Sequence, residues 1–121
     1  VRVSQINSCS FCVDINSATL IKRGVGMEKV EALENWRQSN QFDRREQSVL
    51  EYAEAMTRSD IQVDDEMVDR LRAYYDDDGI VELTGLIAFQ NMSSKFNSAL
   101  DVPAQGFCKL PAAKISPQPK S

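Results

Sequence analysis

Apolar residues recur every three or four positions along most of the chain. In one segment this stripe runs through Val49, Ala53 and Met56, and the next segment repeats it with Met67 and Leu71. The spacing places apolar side chains on one face of an α-helix. Helices of this kind bury that face against one another, so the pattern predicts a helical bundle.

One segment departs from the amphipathic pattern. Residues 80–89 are apolar on nearly every side of a helix. Helices that are apolar all round are normally covered by neighbouring elements. The segment is therefore predicted to be a central helix of the bundle.

Helix breakers and capping residues divide the chain into elements. All four prolines lie in the last nineteen residues, so helices can extend through the part before them. Asp43 stands three residues before Glu46, the spacing of a capping box. Acidic runs at 64–66 and 76–78 favour helix N-termini over a metal site, because the helix dipole attracts anions there. The predicted helices span 8–23, 27–38, 43–58, 64–76 and 79–99, with residues 1–6 as the end of an earlier helix.

The 121 residues are enough for one domain. No strand-like alternation stands out, so we predict an all-α bundle of five to six helices over residues 1–102. Residues 103–121 are rich in Pro, Lys, Ser and Gln, which predicts a loose tail. The chain begins at Val1 with no capping residue before its first apolar positions, so we expect an upstream segment to be missing.

Composition narrows the possible partners. Eighteen acidic residues against fourteen basic ones give a net charge of −4, which disfavours nucleic acid and anionic membrane surfaces as partners. No apolar run is long enough to span a bilayer, and we expect a cytoplasmic location. Histidine is absent, which removes the usual general base and the commonest metal ligand.

Cys9 and Cys12 form the one local motif that carries chemistry. Two cysteines three residues apart lie on one face of a helical turn and can close a disulfide with little movement. Asn7 or Ser8 can cap this helix, which places the pair in its first turn, where the dipole favours a thiolate over a thiol. A thiolate attacks peroxide to give a sulfenic acid, and a neighbouring thiol condenses with it. The motif therefore suits a two-thiol redox cycle.

Two other interpretations of the motif remain. It could be half of a zinc site, but such a site needs four ligands and only Cys108 remains to help. It could also be a helix start with two small buried side chains. Cys108 itself lies among prolines, and we interpret it as incidental.

Segment 2–14, Arg-Val-Ser-Gln-Ile-Asn-Ser-Cys-Ser-Phe-Cys-Val-Asp, resembles the signature of the carboxymuconolactone decarboxylase superfamily in its alkyl hydroperoxidase D-like branch. Segments 36–42, 45–57 and 82–100 resemble the linker and the later helices of that family. The resemblance covers residues 2 to 103. Because the decarboxylase members act without a cysteine pair, the motif favours the peroxidase branch.

The resemblance implies an all-helical fold that packs as a homo-oligomer, a trimer or a hexamer. It also implies a peroxidase-type activity in which Cys12 is oxidised by peroxide and Cys9 acts as proton donor and resolving thiol. The family's relay histidine, four residues after the second cysteine, maps to Asn16. Its relay glutamate would lie before Val1. Asparagine can donate and accept hydrogen bonds but cannot take up a proton at neutral pH.

The predicted function is therefore a thiol-dependent peroxidase, weakened by the loss of the histidine, with Cys12, Cys9 and Asn16 as its catalytic residues. It requires a hydroperoxide, a dithiol reductant or thiol-reductase partner, and no cofactor or metal. We expect Cys9, at the helix tip, to be more accessible than Cys12, and Asn16 to reach the Cys12 sulfur from one turn away. The alternative is a degenerate, non-catalytic helical oligomer that binds a ligand or a partner.

Overall fold

Helices account for nearly all of the regular structure in the computed structural model, which describes residues 1–108. Within that range there are six α-helices and one 3₁₀ helix and no strand, so the predicted all-α class is confirmed. The elements are α1 (Arg2–Ile6), α2 (Ser10–Lys22), α3 (Met27–Ala32), a 3₁₀ helix (Leu33–Gln38), α4 (Arg44–Thr57), α5 (Asp65–Arg72) and α6 (Asp77–Ala99).

The acidic runs cap helices, as predicted. Asp43 Oδ1 accepts the N–H of Glu46 at 2.8 Å, and Glu46 Oε1 accepts the N–H of Asp43 at 3.1 Å, which completes a capping box on α4. Asp64 and Asp76 cap α5 and α6 in the same way. The predicted helix 64–76 is shorter than expected and ends at Arg72, because the cap of α6 begins four residues later.

The prediction of a single helix over 27–38 is wrong. The α-helical part ends at Ala32, and the 3₁₀ helix that follows contains Asn35 in a non-helical conformation (φ −123°, ψ 41°). The break turns Trp36 inward, where it packs beside Phe42 and its indole N–H donates to Glu54 Oε1 at 3.2 Å. A contact with α4 thus overrides the local preference for a continuous helix.

The main core lies where α1, α4, α5 and α6 meet. Leu71 of α5 is fully buried there, packed among Val3, Tyr52, Ala53 and Ile87. Helix α1 is part of this core. The turn after α1, which carries Cys9, therefore starts from a fixed position.

Helix α6 is not covered on all sides, which corrects the prediction of a central buried helix. One face packs on α1, α2, α4 and α5, with Ile87 and Ser94 buried. The opposite face exposes large apolar side chains along its whole length. This exposed stripe consists of Val81, Leu86, Phe89, Met92, Phe96 and Leu100. Within residues 1–108 no helix is both long enough and apolar enough to cross a bilayer.

The first part of the predicted loose tail, residues 103–108, is packed against the helices. Residues 103–108 lie against α2, where Ala104 and Cys108 pack with Val30 in a small apolar cluster. Backbone N–H groups of this segment donate to the carboxylate of Asp14 on α2. The remainder of the predicted tail, 109–121, lies outside the described residues.

Candidate functional site

The cysteine turn, Asn7–Cys9, connects α1 to α2 and carries Cys9, while Cys12 lies in the first turn of α2. Ser8 adopts a left-handed conformation (φ 55°), and the N–H of Cys9 returns to the carbonyl of Ser4 at 3.0 Å. Neither Asn7 nor Ser8 caps α2, contrary to the prediction. Cys9 is itself the cap: its Sγ accepts the backbone N–H of Cys12 at 3.1 Å.

The sulfurs of Cys9 and Cys12 lie at disulfide distance, with Cα atoms 5.3 Å apart. Both side chains are buried, with 1% of Cys9 and 2% of Cys12 exposed. The expectation that Cys9 is the more accessible of the two is therefore wrong. The cause is the tight turn, which folds Cys9 back onto the end of α1 instead of leaving it at a free helix tip.

Polar side chains of α6 hold the cysteine turn in place. The amide of Asn7 donates to Asn91 Oδ1 at 2.9 Å and to Ser94 Oγ at 2.8 Å. One turn further along α6, Ser98 Oγ donates to the carbonyl of Ser8 at 3.3 Å. The left-handed residue is thus fixed by contacts made more than eighty residues away in sequence.

The Cys12 sulfur is contacted by an asparagine that sequence reasoning missed. Nδ2 of Asn97, on the last turn of α6, lies 3.7 Å from Sγ of Cys12. Asn97 lies in segment 82–100, which resembles the last helix of the family, but that resemblance gave it no role at the cysteines, from which it is separated by 85 residues. Only a knowledge of how α6 packs on α2 could have identified it.

Within the described residues, Asn16 makes no hydrogen bond to the Cys12 sulfur, although it lies one turn after Cys12 on α2. It lines a cleft of about 400 Å³ between α1, α2, α4 and α6 instead. The cleft is largely apolar, with Leu83, Leu86 and Ile87 on its α6 side, and Gln90 adds a second amide. Of the three site residues named from the sequence, the structure thus joins the two cysteines and places Asn16 in the neighbouring cleft.

Asp14, two residues after Cys12, is a fully buried carboxylate. It accepts backbone N–H groups from Gln105 at 2.8 Å, Phe107 at 3.1 Å and Cys108 at 2.6 Å. Burial alone raises the pKa of Asp14, but these backbone donors outweigh it and hold the pKa below its ordinary value. Asp14 therefore stays charged at neutral pH and fastens residues 105–108 to α2.

We expect Asp14→Asn to release this segment. The change removes the negative charge that strengthens three hydrogen bonds, each of which is worth about 1.5–3 kcal/mol to a charged acceptor. In the disulfide form Cys108 is the free thiol, and its labelling by a thiol reagent should become about tenfold faster or more. Asp78→Asn, at an exposed position of α6, removes the same charge without touching this segment. Equal labelling rates in the two variants would contradict the assignment.

The same contact gives the stability a pH dependence of known sign. Because the pKa of Asp14 is lowered in the folded chain, its contribution is complete above the ordinary aspartate pKa of 3.8. It is lost as the pH falls through the still lower folded value. The rate of Cys108 labelling in the wild-type chain, divided by that of an unfolded reference peptide at the same pH, should therefore rise only below about pH 4.

A second buried carboxylate, Glu54 on α4, links three elements. Its Oε1 accepts the indole N–H of Trp36 at 3.2 Å and a guanidinium N–H of Arg37, and its Oε2 accepts two N–H groups of Arg2 at 3.3 and 3.4 Å. The carboxylate is therefore surrounded by donors from α1 and from the 3₁₀ helix. By holding α1, Glu54 fixes the start of the cysteine turn.

The zinc interpretation requires further ligands beside the two cysteines. Across residues 1–108 there is no cluster of three or more His, Cys, Asp or Glu side chains arranged to hold a metal ion. Cys108 packs in the separate cluster around Val30.

Comparisons with known proteins agree with this architecture. Residues 1–55 match the model of the carboxymuconolactone decarboxylase family. The chain is 46% identical over 110 residues to YnjA of Escherichia coli (strain K12), an uncharacterised protein, covering 91% of this chain and 60% of YnjA. It is 30% identical over 101 residues to YdfG of Bacillus subtilis (strain 168), also uncharacterised, covering 83% of this chain and 69% of YdfG.

A solved structure shares the fold. The crystal structure of ATU0492 from Agrobacterium tumefaciens superposes with a TM-score of 0.82 and 26% identity, covering 85% of this chain and 71% of that one. ATU0492 is described as a protein of unknown function and as a candidate antioxidant-defence protein of the AhpD type.

Proposed function

Because the chain belongs to the carboxymuconolactone decarboxylase family, in its alkyl hydroperoxidase D-like branch, we propose that it is a thiol-dependent peroxidase. The observation that carries the proposal is the cysteine pair at disulfide distance in the first turn of α2. The antioxidant description of ATU0492 supports it.

The reaction uses two thiols and one hydroperoxide. The Cys12 thiolate attacks the terminal peroxide oxygen, the O–O bond breaks, and the alkoxide leaves and takes up a proton to become an alcohol. The Cys9 thiolate then attacks the sulfenic sulfur of Cys12, the S–O bond breaks, and the hydroxide leaves as water after protonation. An external dithiol reduces the disulfide and returns both thiols. This cycle needs a reducing compartment, so we place the protein in the cytoplasm.

A single-turnover experiment tests the function. The reduced chain is mixed with one equivalent of cumene hydroperoxide, and the alcohol formed is compared with the thiols lost to an alkylating label. We expect one alcohol and one Cys9–Cys12 disulfide per chain, and no alcohol above background from the Cys9→Ser/Cys12→Ser double variant. Full alkylation of both thiols after peroxide would overturn the proposal and leave ligand binding in the cleft beside Asn16 as the function.

Restoring a base at position 16 should raise the peroxide rate. Asn16 stands one helical turn after Cys12, and a general base there contributes about 10²–10⁴-fold when fully effective. We expect Asn16→His to increase turnover about tenfold or more. Asn16→Gln, which keeps an amide and adds no base, serves as the control. A rate that is unchanged or lower in Asn16→His would show that position 16 has only a structural role here.

We also propose that the chain self-associates through the exposed stripe of α6. Five large apolar side chains of α6, with Leu100 at its C-cap, are exposed together, and an apolar surface of this kind normally marks an interface. Family resemblance favours a trimer or a hexamer, and an interface on α6 would lie on the helix that holds the cysteine turn.

Light scattering should therefore give a mass well above the 13.6 kDa of one chain. Replacing both Phe89 and Phe96 by lysine places two charges in the stripe and should shift the protein to the monomer. Tyr74→Lys, an exposed aromatic position outside α6, should leave the mass unchanged. A wild-type mass near 13.6 kDa across micromolar concentrations would contradict self-association.

A further inference from the structure

Contacts of the backbone and of the neighbouring residue hold Asn97 beside the cysteine pair. Its backbone carbonyl accepts the N–H of Val102 at 3.0 Å, and its neighbour Ser98 donates to the carbonyl of Ser8. The side chain is half-buried, and its Nδ2 lies 3.4 Å from Ser93 Oγ as well as 3.7 Å from Cys12 Sγ. The backbone thus delivers an amide donor to the sulfur.

An amide N–H directed at the Cys12 sulfur favours the thiolate over the neutral thiol. Neutral sulfur is a weak hydrogen-bond acceptor, whereas a thiolate is a full negative charge. Hydrogen bonds to ionised partners are about twice as strong as neutral ones. Because Cys12 is 2% exposed, water competes little for the bond. We propose that Asn97 stabilises the thiolate of Cys12 and so selects this sulfur as the one that meets peroxide.

The role of Asn97 in turnover rests on the proposed function, and it acts in both halves of the cycle. In the oxidising half it increases the fraction of Cys12 present as the attacking thiolate. In the reducing half an external dithiol attacks Cys9 Sγ, the S–S bond breaks, and the electron pair stays on Cys12, which leaves as a thiolate. The same donor stabilises that leaving group. Within the described residues Asn16 makes no hydrogen bond to this sulfur, and the side-chain amide donor comes from α6 instead.

The test is the pH dependence of Cys12 alkylation. In a Cys9→Ser/Cys108→Ser background Cys12 is the remaining thiol, and the midpoint of its iodoacetamide rate against pH reports where the thiolate forms. We expect Asn97→Leu to move this midpoint up by about one to two pH units. Asn97→Asp should move it further, because a carboxylate of the same size repels the thiolate. Ser93→Ala, which touches Asn97 but not the sulfur, should move it less than either.

The order of the variants separates a thiolate contact from a packing role. If Asn97→Leu fails to fold, Asn97→Asp carries the test, since it has the same shape. A midpoint that is the same in Asn97→Asp and in the parent would overturn the proposal. If the midpoint moves but the wild-type chain consumes no peroxide, the peroxidase function fails and the contact stands. If peroxide is consumed and the midpoint is unmoved, the role of Asn97 alone fails.

Discussion

Cys12→Ser should lower the rate of peroxide consumption by at least about a thousandfold, because it removes the nucleophile outright. Cys9→Ser should behave differently. Its Cys12 thiolate still attacks peroxide once, but no second thiol follows, so the chain stops as a sulfenic acid after one turnover. Cys108→Ser should keep turnover, since that side chain packs in a separate cluster.

The measurement is single-turnover oxidation in the presence of a sulfenic-acid trap, followed by mass spectrometry of the cysteine peptide. We expect the trap on Cys12 in Cys9→Ser and no trapped product in Cys12→Ser. A sulfenic acid trapped on Cys9 in Cys12→Ser, with Cys12 untouched in Cys9→Ser, would reverse the roles of the two thiols.

Glu54→Ala should lower the free energy of unfolding by about 3 kcal/mol or more. The substitution leaves the indole N–H of Trp36 and the guanidinium of Arg2 without their acceptor in a largely buried position. Removing one member of a buried ionic group is costly because the partner charges stay desolvated. Arg37 is about half exposed, so water replaces much of the interaction that Arg37 loses.

Glu51→Ala is the matched control on the same helix. Glu51 pairs with Arg70 at the surface, where ion pairs are worth about 0–1 kcal/mol. Chemical denaturation of both variants at one protein concentration gives the comparison, since association would shift the apparent stability. Equal losses of unfolding free energy in Glu54→Ala and Glu51→Ala would show that burial adds nothing to the Glu54 contacts.

Elements set by local interactions could be predicted from the sequence. The capping box of Asp43 and Glu46 spans three residues, and the cysteine motif spans the same distance. Both depend on the geometry of a single helical turn. The helix class and the pairing of the two cysteines therefore follow from short segments of the chain.

Two of the features that sequence reasoning missed depend on distant partners. The break at Asn35 follows from the bond between Trp36 and Glu54, eighteen residues apart. Asn97 reaches Cys12 across 85 residues. Contacts over such sequence separations produce no periodic pattern in the sequence, because tertiary packing decides which side chains meet.

Periodicity also failed to distinguish two kinds of apolar helix. A helix buried on every side and a helix with one face exposed for another chain have the same composition. In α6 the polar side chains that face inward, such as Asn91 and Ser94, bind the cysteine turn. Phe89 and Phe96 face outward instead.

In the proposed cycle, the burial of both sulfurs predicts that reduction by a large partner is gated. We expect a protein dithiol to reach Cys9 only when the cysteine turn lifts away from α6, to which Asn7 and Ser8 are hydrogen-bonded. When that lifting is slower than the thiol exchange that follows, the reduction rate reaches a plateau as reductant is added, and the plateau equals the opening rate. The hydrogen bonds of Asn7 and Ser8 to α6 then act as a latch whose lifetime sets the speed of recycling.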